Sequence, residues 1–167
     1  MDAVLPFVFV ALALAMIVGP IMLMRPNNAQ TRIAKVRQQA LSFGLKVFIG
    51  EVRDKDGRAL ANYLLPVDED SEAALAEWML VKKGFSHGAH AHGFWDWSSA
   101  EMDANLVLPD RVTTLLDEAP DGIYAVGSGR FGVFAAWNER YKGEDPTASL
   151  DALKAWLRAW QRAHVGS

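Results

Sequence analysis

Residues Ala3 to Met24 form a run of twenty-two without a single charge, and no other feature constrains the chain as tightly. A helix of that length reaches about 33 Å, enough for a hydrocarbon core of about 30 Å. In lipid the backbone must satisfy its own hydrogen bonds, so the run predicts a transmembrane helix, with residues 1–24 as a single-pass anchor. Pro6 falls in the first turn, where its missing N–H costs little, and Gly19-Pro20 is expected to bend the far end. A cleaved signal peptide is the rival reading. It calls for a basic segment ahead of the apolar run, and only Asp2 stands there.

Flanking charge sets the expected direction. Arg25, Arg32, Lys35 and Arg37 follow the run with no acid between them. As interfacial basic residues they place the following chain in the cytoplasm and the N-terminus outside, at a bacterial inner membrane. Within the run Ala11, Ala15 and Gly19 recur every four residues. Small residues at that spacing form a membrane-helix contact for a second copy or for another membrane protein.

Residues 25–44 read as a basic neck helix. Asn28 or Thr31 can cap it, Ile33, Val36, Ala40 and Phe43 share one face, and Gly44 stops it. It can lie on anionic lipid, stand as a stalk, or pack its stripe on a sheet as an ordinary first helix. A single N-terminal span running into Ile21-Met22-Leu23-Met24-Arg25-Pro26 and then a polar, basic helix resembles the YajC family of preprotein translocase accessory subunits. The resemblance covers about residues 4–40. It implies a membrane-tethered, non-catalytic accessory associated with the Sec machinery. The Gly-Gly-containing β segment that follows in that family has no counterpart after Gly44, where Leu45-Lys46-Val47 comes directly.

Residues 45–167 read as a cytoplasmic α+β domain, a small and mostly antiparallel sheet covered by two or three helices. Leu45, Val47 and Ile49 alternate as in a strand, Asp54-Lys55-Asp56-Gly57 marks a turn, and Ala59 to Val67 returns as a hairpin partner. A helical turn over 71–76, a strand from Glu77 to Lys83 and another from Gly93 to Trp97 are expected next. A short helix over Pro109 to Glu118 precedes strands Ile123–Val126 and Phe131–Trp137, joined by Gly127-Ser128-Gly129-Arg130 as the turn. Asp145-Pro146 then opens a final helix whose stripe is Leu150, Leu153, Leu157 and Trp160.

Net charge is −3, from 17 Lys/Arg against 20 Asp/Glu, which argues against a nucleic-acid partner. The absence of cysteine removes disulfides, thiolate metal sites and a Cys nucleophile. The sequence shows no catalytic motif. The most concentrated chemistry is His87-Gly88-Ala89-His90-Ala91-His92. His90 and His92 can point to one side of an extended backbone and His87 can join them as a third ligand for Zn²⁺, Ni²⁺ or Cu²⁺. The plain alternative is a solvated loop tip. Gly127-Ser128-Gly129-Arg130 resembles an anion nest but lacks the Lys-Ser/Thr of a phosphate loop, so a hairpin turn explains it. Two expectations follow. The first is a membrane-anchored, non-catalytic protein-interaction accessory at the inner membrane; the second is a membrane-tethered metal-binding or metal-sensing module using His87, His90 and His92.

Overall fold

The computed structural model describes residues 4–23, 27–67, 77–85, 91–98 and 108–165, with the side chains of 4–6, 19–23 and 164–165 outside that description. The chain divides into two compact units, Met1–Ala34 and Lys35–Ser167. The boundary falls inside helix α2 (Asn28–Ser42), so the larger unit begins within the predicted neck rather than after it.

The first unit contains α1 (Val4–Leu23). Its described side chains are apolar on every side and exposed, Phe7 at 76% and Met16 at 72%. Among the described residues, however, no helix is long and apolar enough to cross a membrane. The transmembrane anchor over 1–24, and with it the single-pass inner-membrane localisation, is corrected accordingly.

The second unit is α+β. Six strands, β1 (Lys46–Arg53), β2 (Ala59–Pro66), β3 (Trp78–Lys82), β4 (Trp95–Trp97), β5 (Ile123–Gly129) and β6 (Gly132–Trp137), form one antiparallel sheet in the order β1-β2-β6-β5-β3-β4. Helices α3 (Asp110–Asp117) and α4 (Thr147–Val165) complete it. Strand alternation divides the sheet into two faces. The cross-strand row Val47, Tyr63, Ala135, Val126, Leu80 and Trp97 lies on the face that the helices cover. The adjacent row, Phe48, Asn62, Ala136, Ala125 and Val81, lies on the other, where Leu60, Ala125 and Ala136 form a smaller buried cluster.

The covering face fills as the final helical stripe predicts. Leu150, Leu153, Leu157 and Trp160 are each at most 1% exposed. Trp160 meets Trp78 of β3 at 5.2 Å and Trp156 at 5.8 Å between ring centroids. Polar groups fix the docking: Trp156 Nε1–H donates to Leu115 O at 2.7 Å, and Gln161 Nε2 donates to Leu65 O and Pro66 O at 3.0 Å. Asp145 caps α4, its Oδ1 accepting from the Thr147 hydroxyl at 2.8 Å and amide at 3.1 Å. Those bonds hold its carboxyl below the usual carboxylate range. The α2 stripe also packs: Val36 and Ala40 are fully buried in the same core. Of the three roles open to that helix, its second half takes the third, an ordinary helix of the domain.

One turn is displaced from its expected place. Gly127-Ser128-Gly129 continues β5, and the hairpin closes over Arg130-Phe131 between the paired Gly129 and Gly132. Gly127 is needed inside the strand because a Cβ there would stand 2.7 Å from both the Phe134 ring and Trp78 O. The nest reading therefore has no turn to form in. Gly132, at φ +138°, lies against the next strand, and an added Cβ would stand 2.1 Å from Leu65 O. Gly57, at φ +77°, faces open space. Gly132→Ala is expected to cost about 3 kcal/mol, combining backbone strain with a clash against fixed backbone. Gly57→Ala should cost about 1 kcal/mol. Urea unfolding of the two variants compares them directly.

Candidate functional site

Two polar constraints and one apolar surface meet where α2 passes β1 and β2. Strand β6 ends at Trp137, and the chain then turns through Asn138 and Glu139. Asn138 N–H donates to Gly122 O at 3.0 Å, and its side-chain oxygen accepts from Arg140 N–H at 3.0 Å. Glu139 sits at φ +56°, a left-handed conformation that costs a non-glycine residue about 1 kcal/mol. The turn aims its carboxylate back beneath α2. There Arg37 grips it with both arms, Nε–H to Oε1 at 2.6 Å and Nη2–H to Oε2 at 2.8 Å, while Tyr63 O–H donates to Oε1 at 2.8 Å. The Glu139 side chain is 7% exposed and that of Arg37 37%. A two-pronged guanidinium–carboxylate pair is among the stronger polar contacts available to a protein.

Burial, then the charge of Glu139 and the hydrogen bond to it, push the Tyr63 phenol well above its ordinary value. The hydrogen bonds that Arg37 donates to Glu139 raise the guanidinium above its ordinary value, against the lowering effect of burial. Lys35 Nζ donates to Glu144 O at 2.9 Å and Gln39 Nε2 to Thr147 Oγ1 at 2.7 Å, so the same stretch of α2 is also tied to the chain entering α4.

Beside this network, Leu41, Phe48 and Ile49 are 63%, 46% and 57% exposed. With Arg37, Gln38 and Val47 they line a groove of about 290 Å³ along β1. β1 is the outermost strand on its side of the sheet. Its pairing with β2 is regular from Lys46 to Ile49 and shifts between Ile49 and Arg53. The straight half of an edge strand thus coincides with exposed apolar side chains on both of its faces. Gly50 lies next to the shift, where any Cβ would stand 2.5 Å from Asn62 Nδ2. The Asn62 side chain lies across the strand at that point and is itself 6% exposed.

The residues singled out by sequence are distributed as follows. Arg37 serves the Glu139 pair and Lys35 a backbone carbonyl; Arg32 is exposed, and Arg25 lies outside the described residues. Ala11 and Ala15 are exposed on α1, and the side-chain position of Gly19 lies outside the description. Of the histidine cluster, His87 and His90 lie outside the described residues. His92 Nε2 meets Asp117 Oδ1 at 2.9 Å, and its backbone bridges to Trp95. Among the described residues no group of three His, Cys, Asp or Glu is placed to hold a metal.

Glu139 was not visible as a partner in the sequence, since it lies 102 positions from Arg37. Comparison with known protein families, curated proteins and solved structures finds no match to this chain. The YajC-like resemblance therefore stands on the pattern of residues 4–40 alone.

Tyr63 has its folded value raised above the ordinary 10.0, so the stability it contributes is complete below pH 10 and is lost as pH rises beyond it. Tyr63→Phe is expected to cost about 2 kcal/mol at neutral pH, the worth of a hydrogen bond to a charged group. The gap between wild type and variant should then narrow above pH 10. Urea titrations at neutral and alkaline pH measure both effects.

Proposed function

We propose that the compact unit is a protein-interaction module that acts by binding, taking an extended segment of a partner protein along the outer edge of β1. One observation carries this reading: the regular half of the edge strand, Lys46 to Ile49, lies beside a groove lined by exposed Leu41, Phe48 and Ile49. An edge strand offers a ladder of backbone donors and acceptors, and flanking apolar pockets select alternate side chains of an added strand. Proteins commonly blunt such edges with charge, proline or a bulge. Here the irregularity is confined to the far half of β1, and the groove half keeps a regular ladder. The Arg37–Glu139–Tyr63 network supports the reading mechanically, because it fixes the α2 wall of the groove against the sheet.

The reading retains the interaction role expected from the sequence without a membrane span. It assigns no reaction to the protein.

Selection of displayed random peptides against the full-length chain provides the test. Enriched sequences should alternate apolar residues, and amide hydrogen exchange should slow at residues 46–49 when such a peptide is bound. Phe48→Asp and Ile49→Asp should each weaken binding by about tenfold or more, or about 1.4 kcal/mol, with little loss of stability because both side chains are exposed. Peptides that bind equally to the Asp variants would remove β1 from the interface.

A further inference from the structure

A larger cavity lies at the opposite end of β1, away from the groove. It occupies about 770 Å³ along one rim of the sheet. The strand order explains its composition. In an antiparallel sheet the ends of β1, β6 and β3 and the start of β5 share one rim. Arg53 and Lys55 come from the end of β1 and its turn, Lys82 and Lys83 from the end of β3, and Arg140 from the chain leaving β6. From β1 to β3 is four strand steps of about 4.8 Å, or roughly 19 Å. Five cations therefore border a single cleft.

Among the described residues two acids line it, Asp54 and Asp121. The Asp54 carboxylate is turned into its own hairpin, accepting from the amides of Asp56 and Arg58 at 2.9 Å each. On the cationic side, Arg53 Nη1 donates to Gly57 O at 2.9 Å, which holds its guanidinium at the rim. Among the described residues no ion pair engages Lys55, Lys83 or Arg140. The floor is built and closed: Asn138 N–H bonds Gly122 O, and any Cβ on Gly122 would stand 2.3 Å from Asn138 Oδ1. Tyr124 adds a half-buried aromatic ring to the wall.

We infer that this cleft is a binding site for a small, multiply phosphorylated anion. Concentrating like charge around a concave surface costs self-repulsion, which a bound anion relieves; low-dielectric walls focus the resulting field. The volume suits a ligand the size of a nucleotide. A long polyanion fits less well. Residues 35–167 carry fifteen Lys/Arg against nineteen Asp/Glu, so a nucleic acid running beyond the cleft would meet a net acidic surface. Lysine and arginine here act as charge and hydrogen-bond donors to phosphoryl oxygens, and the inference includes no bond-breaking step.

Isothermal titration of the full-length chain with tripolyphosphate, with ATP and with a single-stranded oligonucleotide of fifteen residues tests this. Tripolyphosphate and ATP should both bind at low ionic strength and weaken as salt is raised, as screening of the cleft requires. Equal affinities would show that the phosphoryl chain alone is read; tighter binding of ATP would add a contact to the nucleoside. The double variant Lys83→Glu with Arg140→Glu should lose at least about tenfold in affinity. Arg130→Glu with Arg158→Glu makes the same change in net charge away from the cleft, and should bind nearly as wild type does. Circular dichroism confirms that both variants are folded. Failure of both small anions to bind the wild type, or equal loss in the two double variants, would overturn the assignment. So would an oligonucleotide that binds more tightly than either small anion.

Discussion

The carboxylate of Glu139 imposes the constraint on which the larger unit turns. A charge that is almost wholly removed from water must be met by donors, or the fold is penalised by several kcal/mol. Arg37 and Tyr63 meet it, and they come from α2 and β2. The pair therefore joins a helix at the start of the unit, a central strand and the chain leaving β6. The left-handed backbone at Glu139 is the local strain that this arrangement sustains. Removing the guanidinium would leave the charge stranded, which makes Arg37 a fastening for α2 rather than a surface cation.

Both proposed binding regions depend on that fastening. The groove has α2 as one wall and β1 as the other, so its width follows from how firmly the helix is held. The cleft at the other end draws Arg140 from the residue directly after Glu139, and Asn138 from the residue directly before. One tight turn thus points an anionic side chain inward and a cationic one toward the rim. Strand β1 contributes to both regions, Phe48 and Ile49 to the groove and Arg53 to the cleft, with the register shift between them.

Much of the sheet was legible because local chemistry agrees with the tertiary outcome. Alternation at Leu45 and Val47, the Asp54–Gly57 turn and the Leu150–Trp160 stripe each match what the packed unit uses. Where local reading misled, long-range packing had the deciding role. Gly127-Ser128-Gly129 has the composition of a turn, but the close approach of Phe134 and Trp78 makes Gly127 a strand residue. The uncharged N-terminal run was read through its length in residues, and no described helix meets the requirement for crossing a membrane. The basic residues after it read as interfacial, whereas Arg37 has a carboxylate partner 102 positions away. The cationic cleft was hidden for a related reason. Its charges belong to three separate segments, and only the strand order brings them to one rim.

The seam between β2 and β6 has a kinetic consequence. The sheet's remaining pairings, β1 with β2, β5 with β6, β3 with β4 and β3 with β5, lie within one or other of two stretches of chain. At the seam, by contrast, Ala61 pairs with Trp137, with β3, β4 and β5 all lying between them in the chain. Closing so long a loop spends chain entropy before the contact returns any of it. Each sub-sheet is thus closed by shorter loops than the seam requires, and the six-stranded sheet is complete only when β2 meets β6. Until then β2 and β6 each present an edge of unpaired backbone groups, which is where a partly folded chain can mispair with a neighbour.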